Sequence, residues 1–402
     1  MYNLFMKQIK IIFIRSKISS DPRQLEEQKQ QYLSEIKKEF TLSEDGEVFF
    51  FIESGGTEEQ FKEIYSSYKP PYNLIATNAN NSLPASLEIA SFLKNKNLEY
   101  NLYHALKEDI LNVLKHNRAV NKGSNLALNK PLKLLENKRY GVVGKPSNWL
   151  ISSDVNYIDA KAKFGVTLID ITFDEFKNEI DHAKGIIDPI TFKSKLNKTI
   201  DQNALEGALK IYSALYSLIK KHDLDGLTVR CFDLLGIYHN TSCLALAILN
   251  SQGYIATCEG DVPAMLSMAF IKERFHESSF QVNPSYINEK EKYGYFAHCT
   301  IPLDMCIDYD FDTHFESGFG IGIAGKINLA KVTIFKVGSS LDKYEVFKGQ
   351  IIENPRLKNL CRTQLKIKFS EDISSLLDLP CGNHLIVFKG DHEDEIKSLL
   401  SE

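Results

Sequence analysis

Glu259 is the side chain in this sequence whose position best suits proton transfer or metal binding. It ends a short β-type run at residues 254–259, and Gly260 and Asp261 then lead into an apolar helical pattern with proline in its first turn. Open α/β sheets present ligand-binding groups in this way, beyond the carboxyl ends of their strands. We therefore predict that Glu259 is a catalytic base or metal ligand, with Asp261 as a second catalytic candidate. The simpler interpretation is an exposed carboxylate that the helix dipole stabilises.

Three histidines stand at the ends of predicted strands or loops in the last third of the chain. His298 ends one strand, His314 precedes a glycine-rich segment, and His384 lies in a turn before a buried strand. An imidazole in such a position can face a cleft and bind a metal or a substrate. A lone histidine is more often structural, and spacing alone does not bring the three together.

Arg230 and Asp233 close a predicted strand at the same sheet edge as Glu259. An arginine there could bind a hydroxyl group or an anion of a substrate. A structural ion pair between Arg230 and Asp233 is an equally good interpretation.

The segment at residues 320–325 matches the pattern GxGxxG. A dinucleotide-binding fingerprint must follow a strand and open a helix, whereas residues 326–337 have the pattern of a strand. The sequence therefore predicts a flexible loop near the active site, and no nucleotide cofactor.

Composition excludes several classes of function. The chain has 402 residues, which suggests two or three domains, and its net charge of −4 gives no basic surface for nucleic acid. No apolar run approaches the roughly 18 residues of a membrane span. Residues 1–15 lack a leading basic region, so a first strand is predicted there and not a signal peptide. Seven cysteines without a CxxC spacing indicate reduced thiols in a cytoplasmic protein.

The secondary-structure elements that position these residues follow two different patterns along the chain. Up to about residue 275, short apolar strands alternate with helical patterns, which indicates parallel sheets. Predicted strands in this part lie at residues 9–14, 48–52, 73–77, 100–104, 139–144, 166–171, 227–231 and 254–259. Predicted helices lie at residues 21–40, 84–93, 203–221 and 241–250. A further helix is predicted to begin at a capping box at residues 57–60.

After residue 275 the pattern becomes rich in strands without long helices. Predicted strands there lie at residues 294–299, 330–336, 343–347, 364–369 and 385–388. The predicted fold class is therefore α/β, with two doubly wound parallel-sheet domains followed by a β-rich C-terminal domain. The expected boundaries are 1–136, 137–276 and 277–402, with a polar break at residues 121–138.

Several short runs resemble the L-fucose isomerase-like family, within the wider fucose/arabinose isomerase group. The runs that carry the resemblance lie at residues 258–261, 297–299, 314–318, 360–364 and 382–392, with weaker similarity at 80–85 and 144–149. The resemblance covers most of the chain, most specifically residues 227–395. It implies the same three-part architecture, a homo-oligomer (trimer or hexamer) and a site partly built across a subunit boundary.

In that family a divalent metal, usually manganese, is held by a glutamate, an aspartate and a carboxyl-terminal histidine. The glutamate corresponds to Glu259 and the histidine to His384, but Asn283 stands where the aspartate is expected. Asparagine offers only a neutral carbonyl oxygen and cannot act as a base. The resemblance therefore implies Mn²⁺ or Mg²⁺, weakly held.

The function implied is that of a ketol isomerase, which interconverts an aldose and a ketose through an ene-diol. Glu259 would be the surviving acid–base group, and Asp261, Asp233 or His298 would cover the second role. The residues expected to contact the sugar are Arg230, Asp233, His298 and His314. The alternative is a catalytically lapsed sugar-binding or regulatory relative, which Asn283 favours. Fucose- or arabinose-like sugars and modified sugars with phosphate or sulfonate all fit this pattern.

Overall fold

The computed structural model describes residues 6–16, 22–115, 125–129, 133–184, 187 and 201–401. The α-helices in these ranges are α1 (Pro22–Ile36), α2 (Glu58–Ile64), α3 (Ser82–Asn95), α4 (Ile110–Lys115), α5 (Tyr157–Phe164), α6 (Phe173–Asp181), α7 (Gln202–Lys221), α8 (Asp233–Tyr238), α9 (Cys243–Ser251), α10 (Val262–Phe275), α11 (Ser375–Asp378) and α12 (Glu393–Ser401). Short 3₁₀ helices occur at Tyr65–Ser67, Lys107–Asp109, Lys133–Leu135 and Leu303–Met305.

The strands alternate with the helices in the first part of the chain and then follow one another. They are β1 (Lys7–Ile14), β2 (Phe40–Leu42), β3 (Glu47–Ile52), β4 (Tyr72–Ala76), β5 (Tyr100–His104), β6 (Leu126–Ala127), β7 (Arg139–Val143), β8 (Thr167–Ile171), β9 (Gly226–Val229), β10 (Ile255–Cys258), β11 (Ser279–Asn288), β12 (Tyr293–His298), β13 (Asp308–Asp312), β14 (Gly322–Lys326), β15 (Lys331–Val337), β16 (Lys343–Glu353), β17 (Thr363–Lys368) and β18 (Leu385–Lys389).

Two parallel sheets occupy the first part of the chain. The first has the order β2-β1-β3-β4-β5 and the second the order β10-β9-β7-β8, and every pairing in both is parallel. In each sheet the chain first adds a strand on one side of its starting strand and then crosses to the other side. This reversal lies between β1 and β3 in the first sheet and between β7 and β9 in the second. Ligands of open α/β sheets bind at such reversal points, outside the carboxyl ends of the strands.

The third sheet is antiparallel and carries seven strands in the order β15-β18-β11-β12-β17-β16-β6. The long strand β16 pairs with β17 through one end and with β15 through the other, so six of these strands form a closed ring. Closure leaves these strands without a free edge. The structure is thus mixed α/β, with two parallel sheets and a β-rich antiparallel carboxyl-terminal region, as the sequence predicted.

Several details differ from the sequence predictions. The helix expected to reach residue 40 ends at Ile36, and residues 40–42 form the edge strand β2. Strand β11 was not predicted, because Pro284 interrupts it and its pairing shifts register between Pro284 and Tyr286. Residues 322–326, expected in a flexible loop, form strand β14 and pair with β13. Strand β6 joins the third sheet through β16, although the expected domain boundary is residue 136.

Apolar side chains from all three sheets share one core cluster. It includes Phe50 of β3, Val229 of β9 and Phe280 of β11, each buried almost completely. Within the described ranges, no helix is both long enough and apolar enough to cross a membrane. Residues 121–124 of the expected polar break, and Asp21 at the start of the first predicted helix, lie outside the described ranges.

Candidate active site

One pocket opens where the carboxyl ends of the two parallel sheets meet. Ser16 follows β1, Gly55 follows β3, Trp149 follows β7, Phe232 follows β9 and Glu259 follows β10, and all five residues line it. The space in this pocket is about 760 Å³ with its open mouth included.

The backbone turn after β10 fixes the Glu259 side chain in the pocket. Glu259 has a φ of 65°, a left-handed conformation that is uncommon for a residue with a side chain and is often found at functional sites. Gly260 follows with a φ of 77°, and a Cβ atom there would lie 2.6 Å from the backbone of Pro146. The turn is further held because the Ser147 amide donates to the Glu259 carbonyl at 2.8 Å.

The Glu259 carboxylate is 7% exposed and has two polar neighbours. Trp149 Nε1 donates to its Oε2 at 2.6 Å, and His384 Nε2 lies 3.5 Å from its Oε1. Burial alone would raise the pKa of Glu259, but the charged His384 and the Trp149 hydrogen bond outweigh burial and lower it below its ordinary value. Glu259 is therefore ionised and oriented, as a metal ligand or a general base requires.

His384 is the last of three buried charged side chains that contact one another in series. Its Nδ1 donates to Asp261 at 2.8 Å, and the Lys336 ammonium donates to both oxygens of the same carboxylate at 3.0 and 3.1 Å. All three side chains are fully buried. Burial opposes the charged imidazole, yet Glu259 and Asp261 raise the pKa of His384 to about 9. Nε2 of His384 faces Glu259 Oε1 at 3.5 Å, and it can bind a metal ion there only after losing its proton.

Asp261 lies behind His384 and does not line the pocket. Its Oδ1 also accepts from the Ala264 amide at 2.7 Å, which caps helix α10. Both oxygens of Asp261 are thus bonded within the protein, which places it to orient His384, and its role as a second acid–base group stays a prediction. Burial raises its pKa, but Lys336 and His384 outweigh burial and hold that pKa well below the ordinary range.

Asn283 also lines the pocket, from strand β11. It is 4% exposed, and its side-chain oxygen Oδ1 has no hydrogen-bond partner. A buried polar atom without a partner is costly, so such atoms indicate a missing ligand, ion or water. Asn283 Oδ1, Nε2 of a deprotonated His384 and the Glu259 carboxylate are the types of ligand that suit a divalent cation preferring oxygen ligands with one imidazole.

A second grouping of possible ligand atoms surrounds the same glutamate. Atoms of Cys258, Glu259 and His298 lie within 4.8 Å of one another. Cys258 is a poor ligand here, because its hydrogen bond with Cys231 and burial raise the pKa of its thiol well above the ordinary value. This grouping leaves His298, whose imidazole is neutral, as a further candidate ligand beside Glu259.

The other two histidines are buried beside this cluster. His298 packs 5.4 Å from the His384 ring and shares a 3.0 Å hydrogen bond with Thr300, and burial lowers its pKa to about 3. Nδ1 of His314 lies 3.0 Å from the Ser317 hydroxyl, and burial lowers its pKa to about 4. Both imidazoles are neutral at pH 7, and neither lines the pocket.

Arg230 and Asp233 form the ion pair that was one of the two interpretations of their sequence. Arg230 Nε contacts both oxygens of Asp233 at 2.9 and 3.0 Å, and its NH1 donates to the Pro146 carbonyl and to Asn148. Neither side chain lines the pocket. Arg230 instead holds the segment that carries Trp149.

Two further carboxyl groups in the pocket were missed as site residues. Glu316 accepts from Asn81 Nδ2 at 2.7 Å, and burial raises its pKa to about 7. Glu58 is 2% exposed, and burial raises its pKa well above the ordinary value. The sequence placed Glu58 in a capping box, but Thr57 makes no side-chain capping bond. Glu316 lies in one of the runs that carry the family resemblance, which was the available signal.

Glu88, a buried glutamate of helix α3, forms hydrogen bonds with two other segments of the site. Glu88 accepts from the Ser152 amide at 2.7 Å and from the Asn383 amide at 3.1 Å. These bonds connect the first sheet's helix layer to the segment after β7 and to the turn before β18. The turn that carries His384 is thereby fixed relative to both parallel sheets.

Comparison with known proteins shows distant similarity to sugar isomerases. No family model matches the chain. It is 22% identical over 294 residues to proteins named sulfoquinovose isomerase from Priestia aryabhattai and from Priestia megaterium, an alignment that covers 67% of this chain and 63% of each relative. A third protein of that name, from Clostridium sp., is 25% identical over 206 residues, 48% of this chain and 45% of its own length. The alignments thus span less than two thirds of these relatives.

Proposed function

We propose that this protein is a metal-assisted ketol isomerase that interconverts an aldose and a ketose. The observation that carries the proposal is the ionised Glu259 in the pocket, with His384 Nε2 3.5 Å from its carboxylate and with the unpartnered Oδ1 of Asn283 on a residue that lines the same pocket. The distant relatives are sugar isomerases by name, which supports the reaction class. Their name specifies a sulfonated sugar, so a modified aldose is one candidate substrate beside fucose- and arabinose-like sugars.

In this scheme Glu259 takes the proton from one of two adjacent sugar carbons and returns it to the other, through an ene-diol. Trp149 and the left-handed turn hold the carboxylate in one orientation, which such a transfer requires. A divalent ion (Mn²⁺ or Mg²⁺) held by Glu259, Asn283 and His384 would supply polarisation of the sugar carbonyl and stabilise the developing negative charge. Asp261 keeps the His384 ring turned towards Glu259.

A second proton is exchanged between the two sugar oxygens, and Glu316 is the best-placed group to carry it. It lines the same pocket, and its pKa near 7 lets it both give and accept a proton at neutral pH. The candidates named from sequence are less suitable, because Asp261 and Asp233 are held in ion pairs and His298 is buried and neutral.

The direct test is a panel of free aldoses incubated with the protein and Mn²⁺, with ketose formation followed by chromatography. We expect at least one aldose to yield its ketose, and chelation of the metal to stop the reaction. No ketose from any sugar of the panel would contradict the proposal.

The second candidate is a catalytically lapsed sugar-binding relative. Asn283 favours it, because a neutral amide replaces the carboxylate expected at a metal ligand position. This candidate predicts sugar binding without turnover at any Mn²⁺ concentration. A homo-oligomer and the three domains at 1–136, 137–276 and 277–402 remain part of the proposal, testable by light scattering and limited proteolysis.

A further inference from the structure

We infer that the pocket selects an uncharged aldose and rejects sugars that carry a sulfonate or phosphate at the end remote from the carbonyl. This inference rests on the proposed function for the identity of the ligand as a sugar. It concerns the part of the pocket that does not take part in proton transfer.

The pocket lining carries acidic groups and no described cation. Glu58, Glu259 and Glu316 line it, whereas none of its lining residues within the described ranges is lysine or arginine. A sulfonate or phosphate moved from water into such a site would lose its hydration without gaining a counter-charge, and buried ions without partners are strongly unfavourable.

Four described cations close to lining residues or to the Glu259 cluster are already paired with carboxylates. Arg15, next to the lining residue Ser16, makes a two-point contact with Glu53 at 2.8 and 3.0 Å. Arg362, whose guanidinium lies 5.8 Å from the Phe315 ring, donates to the Thr313 carbonyl at 2.7 Å. Arg362 also lies 3.5 Å from Asp312, and Arg230 and Lys336 are held by Asp233 and Asp261 as described. Turning any of them towards a ligand would break an existing ion pair.

The polar atoms left free in the pocket complement hydroxyl groups. The side-chain oxygens Asn81 Oδ1 and Asn383 Oδ1 are buried without hydrogen-bond partners, and both residues line the pocket. Amide oxygens only accept hydrogen bonds. A sugar hydroxyl can donate to them, whereas a fully ionised sulfonate or phosphate has no proton to donate. Burial of an acceptor without a donor costs about as much as a lost hydrogen bond, so these atoms also favour the neutral ligand.

The test compares matched pairs of sugars on the full-length protein with Mn²⁺. The pairs are D-glucose with its 6-phosphate and with its 6-deoxy-6-sulfonate, and D-arabinose with its 5-phosphate, with L-fucose as an additional neutral sugar. Trp149 is the chain's only tryptophan and lines the pocket, so its fluorescence reports binding directly. We expect each pair's neutral member to bind at least tenfold more tightly. Equal or tighter binding of the anionic members, or no response to any sugar, would overturn the inference.

A variant that adds a positive charge to the pocket lining tests the same preference for neutral sugars in a second way. Gln24 lines the pocket from helix α1, and Gln31 is exposed about 10 Å further along the same helix. Gln24→Lys should improve the binding of anionic members relative to neutral ones by at least threefold, while Gln31→Lys should change that ratio less than twofold. If Gln24→Lys leaves the ratio unchanged, charge in the pocket does not set the preference and the inference fails.

Failure of the inference can be told apart from failure of the proposed function. Neutral sugars that bind without any ketose formation would contradict the isomerase and leave the selectivity intact. Turnover of a phosphorylated or sulfonated sugar in preference to its neutral counterpart would support the isomerase and contradict the selectivity.

Discussion

Asp261 and His384 are joined by a 2.8 Å hydrogen bond between Oδ2 and Nδ1, and both side chains are completely buried. The bond fixes which nitrogen of His384 faces Glu259. Partners of this kind orient metal-binding histidines, and their loss commonly weakens metal affinity by 10- to 100-fold. Asp261 thus contributes to the site through His384 and not by touching a substrate.

Asp261→Asn should weaken Mn²⁺ binding by at least tenfold and destabilise the fold. The amide cannot neutralise Lys336, and an unpaired buried charge costs about 3–5 kcal/mol. Metal titration followed by Trp149 fluorescence, together with urea unfolding, measures the two effects. Asp233→Asn, which alters a partly exposed ion pair, is the matched control and should leave metal affinity within twofold. Unchanged metal binding in Asp261→Asn would show that His384 does not hold the ion.

Asn283→Asp should tighten Mn²⁺ binding by an order of magnitude or more. The substitution adds a charged oxygen at a buried atom that has no partner, and charge-assisted contacts are about twice as strong as neutral ones. Calorimetric titration with Mn²⁺ provides the affinity. Asn288→Asp lies on the same strand, outside the pocket lining, and should change the affinity little. If both variants bind metal as the parent does, Asn283 does not face the ion.

Arg230→Met separates the two interpretations that its sequence position allowed. Because Arg230 bonds to the Pro146 carbonyl and to Asn148, its loss should shift Trp149 emission without any sugar and destabilise the protein by about 1–2 kcal/mol. Metal affinity should change little. A raised Michaelis constant with unchanged emission and stability would instead support direct contact between Arg230 and the substrate.

Glu316→Gln should alter the pH dependence of stability. Burial raises the pKa of native Glu316 to about 7, so the native state binds a proton that the unfolded chain has released, and stability falls as pH rises from about 4.5 to 7. Because glutamine does not titrate, the Glu316→Gln variant does not lose stability over this pH range. The variant should match the parent near pH 5 and exceed it at pH 8 by on the order of 1–3 kcal/mol. Unfolding at both pH values checks this, with the exposed Glu63→Gln of helix α2 as the control expected to parallel the parent.

The alternation of strands and helices was sufficient to predict both parallel sheets, because each buried strand is a short apolar run between helical patterns. Strand β11 was missed because Pro284 and the register shift beside it disrupt the pattern that sequence reasoning uses. The pairing of β11 with β18 joins segments about 100 residues apart, which periodicity does not encode.

The position of Glu259 could be predicted because a strand, a turn and a helix are consecutive in the chain. The partners of Asp261 and Arg230 could not be predicted. Lys336 is 75 residues away from Asp261, and for Arg230 a substrate contact and an ion pair with Asp233 were equally consistent with the sequence. Glu58 and Glu316 reach the pocket from segments more than 200 residues apart from each other. Only the fold brings such groups together, and burial is the largest cause of their raised pKa values.

The central claim is that Glu259 moves a carbon-bound proton of a sugar. The most direct measurement is deuterium incorporation at C2 of the aldose that the panel identifies, by NMR in D₂O with Mn²⁺. The account predicts incorporation with the parent protein and with Glu63→Gln, and a loss of at least a thousandfold with Glu259→Gln, which removes both the base and a charged ligand. Incorporation at the parent rate in Glu259→Gln would contradict it.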